Sequence, residues 1–184
     1  PTSTDDNCGI ASVTNDFNGA ATLNGAVFPQ GTTTVTWTIT DNGGNTANCS
    51  FDVTIEDNED PTIACVGNQT RDADPGVCTY TVSGVEFDPT STGDNCGIAS
   101  VTNDFNGAAT LNGASIPDGT TITWTITDNA GNTAQCSFDV TVNDTQDPTI
   151  TCVGNQTVDA SPGACTYTVS GTEFDPTDTD DNCG

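Results

Sequence analysis

The chain has 184 residues, of which 26 are Asp or Glu and one, Arg71, is a cation; it contains no Lys and no His, and its formal net charge is −25. That balance excludes the phosphate-neutralising contacts that nucleic acids and anionic membrane surfaces require. It also excludes Ser-His-Asp, Cys-His and Schiff-base catalysis, which need His or Lys.

Along the chain, one unit is met about twice. Residues 6–26, DNCGIASVTNDFNGAATLNGA, return unchanged at residues 94–114. Cys8, Cys96 and Cys183 occupy one position of the unit, 88 and then 87 residues apart. Cys49 and Cys136, Cys65 and Cys152, and Cys78 and Cys165 are each 87 apart. Near-identical tandem units build quasi-one-dimensional molecules. Pro1, Pro89 and Pro176 share one place inside the unit, which reads as an excerpt from a longer polypeptide. We expect residues 1–60 to be the C-terminal part of one repeat, 61–147 a complete repeat, and 148–184 the N-terminal part of a third.

Within residues 61–147, Ile63 and Cys65 alternate with Thr62 and Ala64, a short first strand. ADPGV (73–77) is a turn, after which Cys78, Tyr80 and Val82 alternate with Thr79, Thr81 and Ser83 as a second strand. Phe87 precedes a polar loop, DPTSTGDN (88–95), and residues 98–104 form a third strand. Asn106-Gly107 and Asn112-Gly113 are turn signals between shorter strands. The clearest strand covers 120–127, with Ile122, Trp124 and Ile126 inward and Thr between them outward. DNAGN (128–132) turns the chain, and Cys136, Phe138, Val140 and Val142 form the last inward row. No segment has a 3.6-residue period, so the pattern predicts an all-β fold of tandem sandwich units in an extended string. Acidic joints, EDNEDP (56–61) and NDTQDP (143–148), end in prolines that restrict the entry to the next unit.

These residues resemble a hyalin repeat (HYR) module, an immunoglobulin-like extracellular domain. The resemblance rests on P-x-I-x-C at Pro61, Ile63 and Cys65, on DNCG at 94–97, and on GTTITWTITDNAGNTAQCSFDVTV at 119–142. Many members have Pro after the first Cys, where this chain has Val66 and Val153. The four-cysteine form in near-identical copies is similar to repeats of giant cell-surface adhesins of gliding bacteria. That resemblance implies a secreted filament moved by a motor.

Nine Cys with no His and no CxxC pair speak for disulfides in an oxidising, extracellular setting rather than for zinc. Four Cys per unit allow three pairings. Cys65 opens the first strand and Cys136 the last, both facing inward, and first and last strands are commonly adjacent in immunoglobulin-like sandwiches. We therefore expect Cys65–Cys136 and Cys78–Cys96, with Cys165–Cys183 by repetition. Cys8, Cys49 and Cys152 would find partners outside the chain. A rival linking neighbouring units through Cys49–Cys65 and Cys136–Cys152 fails on distance. Cys49 would lie roughly 25 Å from the joint along its strand, whereas a bridge needs Cα atoms within about 7 Å.

Glu56, Asp57, Asn58, Glu59 and Asp60 place hard oxygen ligands at one joint, and Asn143, Asp144 and Asp147 a thinner set at the next. We expect Ca2+ there, completed by adjacent loops, because calcium takes six to eight oxygens and no EF-hand spacing is present. DNGGN (41–45) and DNAGN (128–132) read as glycine turns rather than metal loops. The loops DPTSTGD and DPTDTDD read as solvated. The Thr row at 34, 36, 38 and 40 reads as ordinary sheet surface rather than an ice-matching lattice, and Trp37 and Trp124 as core. Paired carboxylates could serve a hydrolase, but a small sandwich offers no deep cleft.

The resulting expectation is a non-enzymatic shaft of a secreted cell-surface filament or adhesin, serving adhesion or gliding motility. Its partners would be neighbouring repeats of the same chain, with surface glycans or a secretion and motility apparatus beyond them. Neither nucleic acid nor membrane insertion of this segment is expected. The alternative is an extracellular array of glycan- or protein-binding modules. Such an array should vary its loops, yet residues 6–26 and 94–114 match throughout.

Overall fold

The computed structural model describes residues 5–183, and these contain strands and no helix. The first segment is one antiparallel sheet of β1 (Ile10–Asn15), β2 (Gly31–Asp41) and β3 (Thr46–Ile55), in that spatial order. The central unit holds β4 (Thr62–Ala64), β5 (Gln69–Asp72), β6 (Thr79–Thr81), β7 (Ser91–Gly93), β8 (Ile98–Asn103), β9 (Ser115–Pro117), β10 (Thr120–Asp128) and β11 (Thr133–Asn143). The last segment pairs β12 (Thr149–Thr151) with β13 (Asp178–Asp180).

In the central unit one layer is a four-stranded sheet in the order β5-β11-β10-β8, antiparallel except for β5 against β11. The facing layer consists of two antiparallel ribbons, β4–β7 and β6–β9. Alternation along β10 sends Ile122, Trp124 and Ile126 fully inside, while the intervening Thr residues keep some contact with water. Phe138 and Val140 follow suit on β11, and Val82, Phe87, Leu111 and Ile116 close the core from the other side. The Trp124 indole N–H donates to the Phe87 carbonyl at 3.2 Å, so the largest buried side chain leaves no donor unpaired. Phe87 and Phe138 meet edge to face, 5.8 Å between centroids. The result is an immunoglobulin-like β-sandwich whose core is drawn from residues 63–142.

Three features differ from the sequence expectation. Residues 69–72, QTRD, form an edge strand that their mixed polarity hides. The loop 88–95 contributes β7, which pairs with β4. The last strand has β5, not the first strand, as its neighbour; β4 lies in the facing layer. The Cys65–Cys136 bridge, Cα to Cα 5.7 Å, therefore ties layer to layer rather than strand to adjacent strand.

Buried Asn103 organises the turn after β8. Its side-chain carbonyl accepts the N–H groups of Phe105 and Asn106, and its amide donates to the Ala108 carbonyl at 2.8 Å. Asn15 repeats these bonds to Phe17, Asn18 and Ala20. Identical sequence has produced identical local structure in the two copies.

Candidate metal centre at the joint between repeats

β8 and β10 are antiparallel, so the loop entering β8 and the turn leaving β10 lie at the same end of the sandwich. That end faces the preceding joint. The entering loop is DNCG (94–97). Its Asp94 accepts the Cys96 N–H through Oδ2 at 2.8 Å, a local turn that fixes the carboxylate and leaves Oδ1 uncommitted. Gly97 has φ +100° and lies against Asn129; a Cβ there would sit 2.8 Å from the Asn129 amide nitrogen, so the position requires glycine. Asn129 in turn donates to the Cys96 carbonyl at 3.0 Å, locking loop to turn.

In the turn leaving β10, Asp128 is 1% exposed. Its Oδ1 accepts the backbone N–H groups of Ala130, Gly131 and Asn132, and its Oδ2 accepts from the Asn132 amide. Burial works against ionisation of this carboxyl, but the bonds from Asn132, Gly131 and Ala130 outweigh it and hold the pKa below the ordinary value. The same Asn132 amide reaches the carbonyls of Asp57 and Glu59, both at 3.2 Å, and so ties the turn to the joint.

The three elements bring Asp57, Asp94 and Asp128 together, one carboxylate oxygen from each lying within 4.8 Å of the other two. Asp57 Oδ2 and Asp94 Oδ1 are buried and accept no hydrogen bond. Cys96 sits beside them. Burial, then the Asp57, Asp94 and Asp128 charges, push its thiol pKa up. Three carboxylates with two bare buried oxygens form a hard, anionic oxygen set, the donor chemistry that suits Ca2+.

Of the ligands expected at this joint, Asp57 alone joins the cluster; Glu56, Asn58 and Asp60 are exposed. Asn143, Asp144 and Asp147 are exposed at the second joint. There, Asp144 occupies the position of Asp57 and Asp181 that of Asp94, and Asp181 Oδ1 is again buried without a partner. From the sequence, DNCG carries the family resemblance and DNAGN reads as a glycine turn in preference to a metal loop. It is a turn, and it also aims a carboxylate at the joint. The available signal was topological: two motifs, DNCG and DN-x-GN, that recur along the chain flank antiparallel strands at the same end.

Two of the three expected pairings, Cys78–Cys96 and Cys165–Cys183, are not formed. Cys65 is bonded to Cys136. Cys78 is bonded to Cys183 of the following unit, Cα to Cα 5.1 Å, and not to Cys96. Cys96 and Cys165 are free, as are Cys8, Cys49 and Cys152. The reason is position. The turn containing Cys78 follows β5, whose pairing with β11 ends at Asn143, beside the exit joint, where the Ala73 N–H donates to the Asn143 carbonyl. Cys96 lies at the entry joint. The eleven residues of β11 separate the two ends, roughly 35 Å at the usual strand rise.

An immunoglobulin-like sandwich whose layers are joined by a disulfide, in a chain that repeats its sequence, defines the class of this protein. The chain belongs to the HYR domain family, which matches it over residues 1–55 and again over 56–142. It is 36% identical over 178 residues to hyalin of Strongylocentrotus purpuratus, an alignment that takes in 90% of this chain and 14% of hyalin. Among solved structures, extracellular cadherin domains 1–4 of protocadherin gamma B7 align with 71% of this chain and 37% of that one. With a TM-score of 0.31 and 18% identity, that likeness says nothing about fold or function.

Proposed function

We propose that these repeats are the shaft of a secreted surface filament or adhesin, with Ca2+ held at the joints. The observation that carries the shaft is surface area. The chain exposes 11501 Å² for a mass of 18.7 kDa, where a compact monomer of that mass exposes about 8300 Å². Part of the excess comes from the flanking partial repeats, whose apolar residues such as Phe51 and Ile150 are uncovered, and the rest fits a core closed within the central unit, with neighbours meeting at their ends. The bridges support an extracellular setting. The near-identity of the copies and their four-cysteine form support the gliding-adhesin reading over a recognition array. The unit acts mechanically rather than catalytically.

The Cys65–Cys136 bridge sets how far a loaded unit can lengthen. It short-circuits 71 residues of an 87-residue period, leaving 16 that can be drawn out. At about 3.5 Å per residue that is about 55 Å, against about 300 Å for an unbridged unit. Pulling a single chain in an atomic force microscope checks this. Short increments that become long ones under reductant support the shaft; long increments without reductant contradict it.

The bare oxygens of Asp57 and Asp94 support the metal. Three clustered carboxylates, one buried and two half-buried, repel one another and lose hydration without a counter-charge, and a divalent cation offsets both. Calcium at a hundredfold its Kd contributes about 2.7 kcal/mol, a rise in Tm of about 10 °C or more for a unit of this size. An unchanged Tm on adding a chelator removes calcium from the account.

A further inference from the structure

We propose that every joint of this repeat array is closed by a disulfide between the second cysteine of one unit and the DNCG cysteine of the unit that follows. Cys78–Cys183 is the instance this sequence holds, spanning 105 residues and the joint at 143–148. The two loops are held together by more than sulfur. The Asn182 amide donates to the Val77 carbonyl at 3.1 Å, and the Gly76 N–H donates to the side-chain carbonyl of Gln146 at 3.2 Å. This inference does not depend on calcium or on the shaft reading.

The sulfur count generalises the bond. Each unit contributes one cysteine of the Cys78 class and one of the Cys96 class, so a bond from one class to the other across each joint uses every such sulfur once. The Cys65 and Cys136 classes pair within a unit. Together the two rules predict which cysteines must lack a partner here: those whose partner belongs to a copy the sequence does not contain. These are Cys8, Cys49, Cys96, Cys152 and Cys165, and they are the five free cysteines. Pairing within units would instead have left Cys8, Cys49 and Cys152 alone.

The bridge acts on the joint. A single backbone connection lets two units swing about it. A second covalent attachment, displaced from the first, removes that swing without adding any buried surface. Its formation is a balanced oxidation. Each thiol gives up a proton, one S–S bond forms, and the electron pair reduces an external disulfide to two thiols.

The test is bridge mapping of the full chain, refolded with oxidised glutathione, alkylated, and cleaved at acidic residues because Arg71 gives trypsin a single site. A peptide containing Cys78 joined to one containing Cys183, with Cys96 and Cys165 alkylated, is expected. A Cys78–Cys96 link, or an alkylated Cys78, overturns the proposal. In Cys183→Ser the alkylated thiols rise from five to six, Cys78 being the addition; in Cys96→Ser they fall to four with the bridge intact. Gly184 occupies the position of Gly97, so a second copy of residues 98–184 can be appended in phase. Cys165 then bonds to the last cysteine of the appended copy. If Cys165 stays reduced there, the bond is not a property of every joint.

Discussion

β3 and β11 carry nearly the same sequence, TANCSFDVTI and TAQCSFDVTV, and have different fates. On β11, Phe138 is 2% exposed and Cys136 is bridged; on β3, Phe51 is 44% exposed and Cys49 is free. The strands themselves form in both places, because alternation and turn chemistry are local. Burial is not local. β11 faces the layer built from residues 62–117, and the sequence holds no counterpart of residues 62–87 ahead of β1 to cover β3. Strand formation here belongs to the segment, whereas the core belongs to the whole repeat.

The sharpest way to break this comparison is at the cysteines. Cys136→Ser opens a 71-residue loop in the central unit, with an expected cost of about 4 kcal/mol. Cys49→Ser, at the equivalent position, leaves stability unchanged. Urea unfolding of the two variants checks both. Next come the aromatics. Phe138→Ala should cost about 3–5 kcal/mol, and Phe51→Ala less than about 0.5 kcal/mol; equal effects would mean that β3 is covered in solution.

Acid should act on the central unit through Asp128, whose pKa in the folded chain lies below the ordinary value. Its contribution is complete above the unfolded carboxyl pKa, about 4, and is lost as pH falls through the lower folded value. Asp128→Asn should therefore flatten the stability profile below about pH 4, which thermal melts across pH 2–6 would reveal. The smallest effect concerns the one cation. Arg71 pairs with Glu86 at 3.3 Å and lies over the Tyr80 and Phe87 rings, whereas the equivalent position in the last segment is Val158. The Tyr–Glu bond survives that change, since Tyr167 donates to Glu173 at 2.8 Å as Tyr80 does to Glu86. Arg71→Val should cost at most about 1 kcal/mol.

The inward rows at Ile122, Trp124 and Ile126 and at Phe138, Val140 and Val142 were legible because a period of two reports directly on burial. β5 and β7 were not, because short edge strands of polar residues carry no such period. Asp57 was legible as a member of the acidic joint, and it joins the carboxylate cluster. Asp94 and Asp128 were hidden by their second role, since each also holds a turn, and only the antiparallel pairing of β8 with β10 brings their loops together. The inter-unit bridge was missed for a related reason. With Cys65 assigned to Cys136, Cys78 and Cys96 are the two cysteines left in the unit, whereas the direction of the strands puts them at opposite ends of it.

Small-angle X-ray scattering of the oxidised chain tests most directly whether its units pack separately. A compact globule of 184 residues has a radius of gyration of about 16 Å. Separate units joined at their ends predict a clearly larger value and a pair-distance distribution with a long tail. A value near 16 Å with a symmetric distribution would contradict the account.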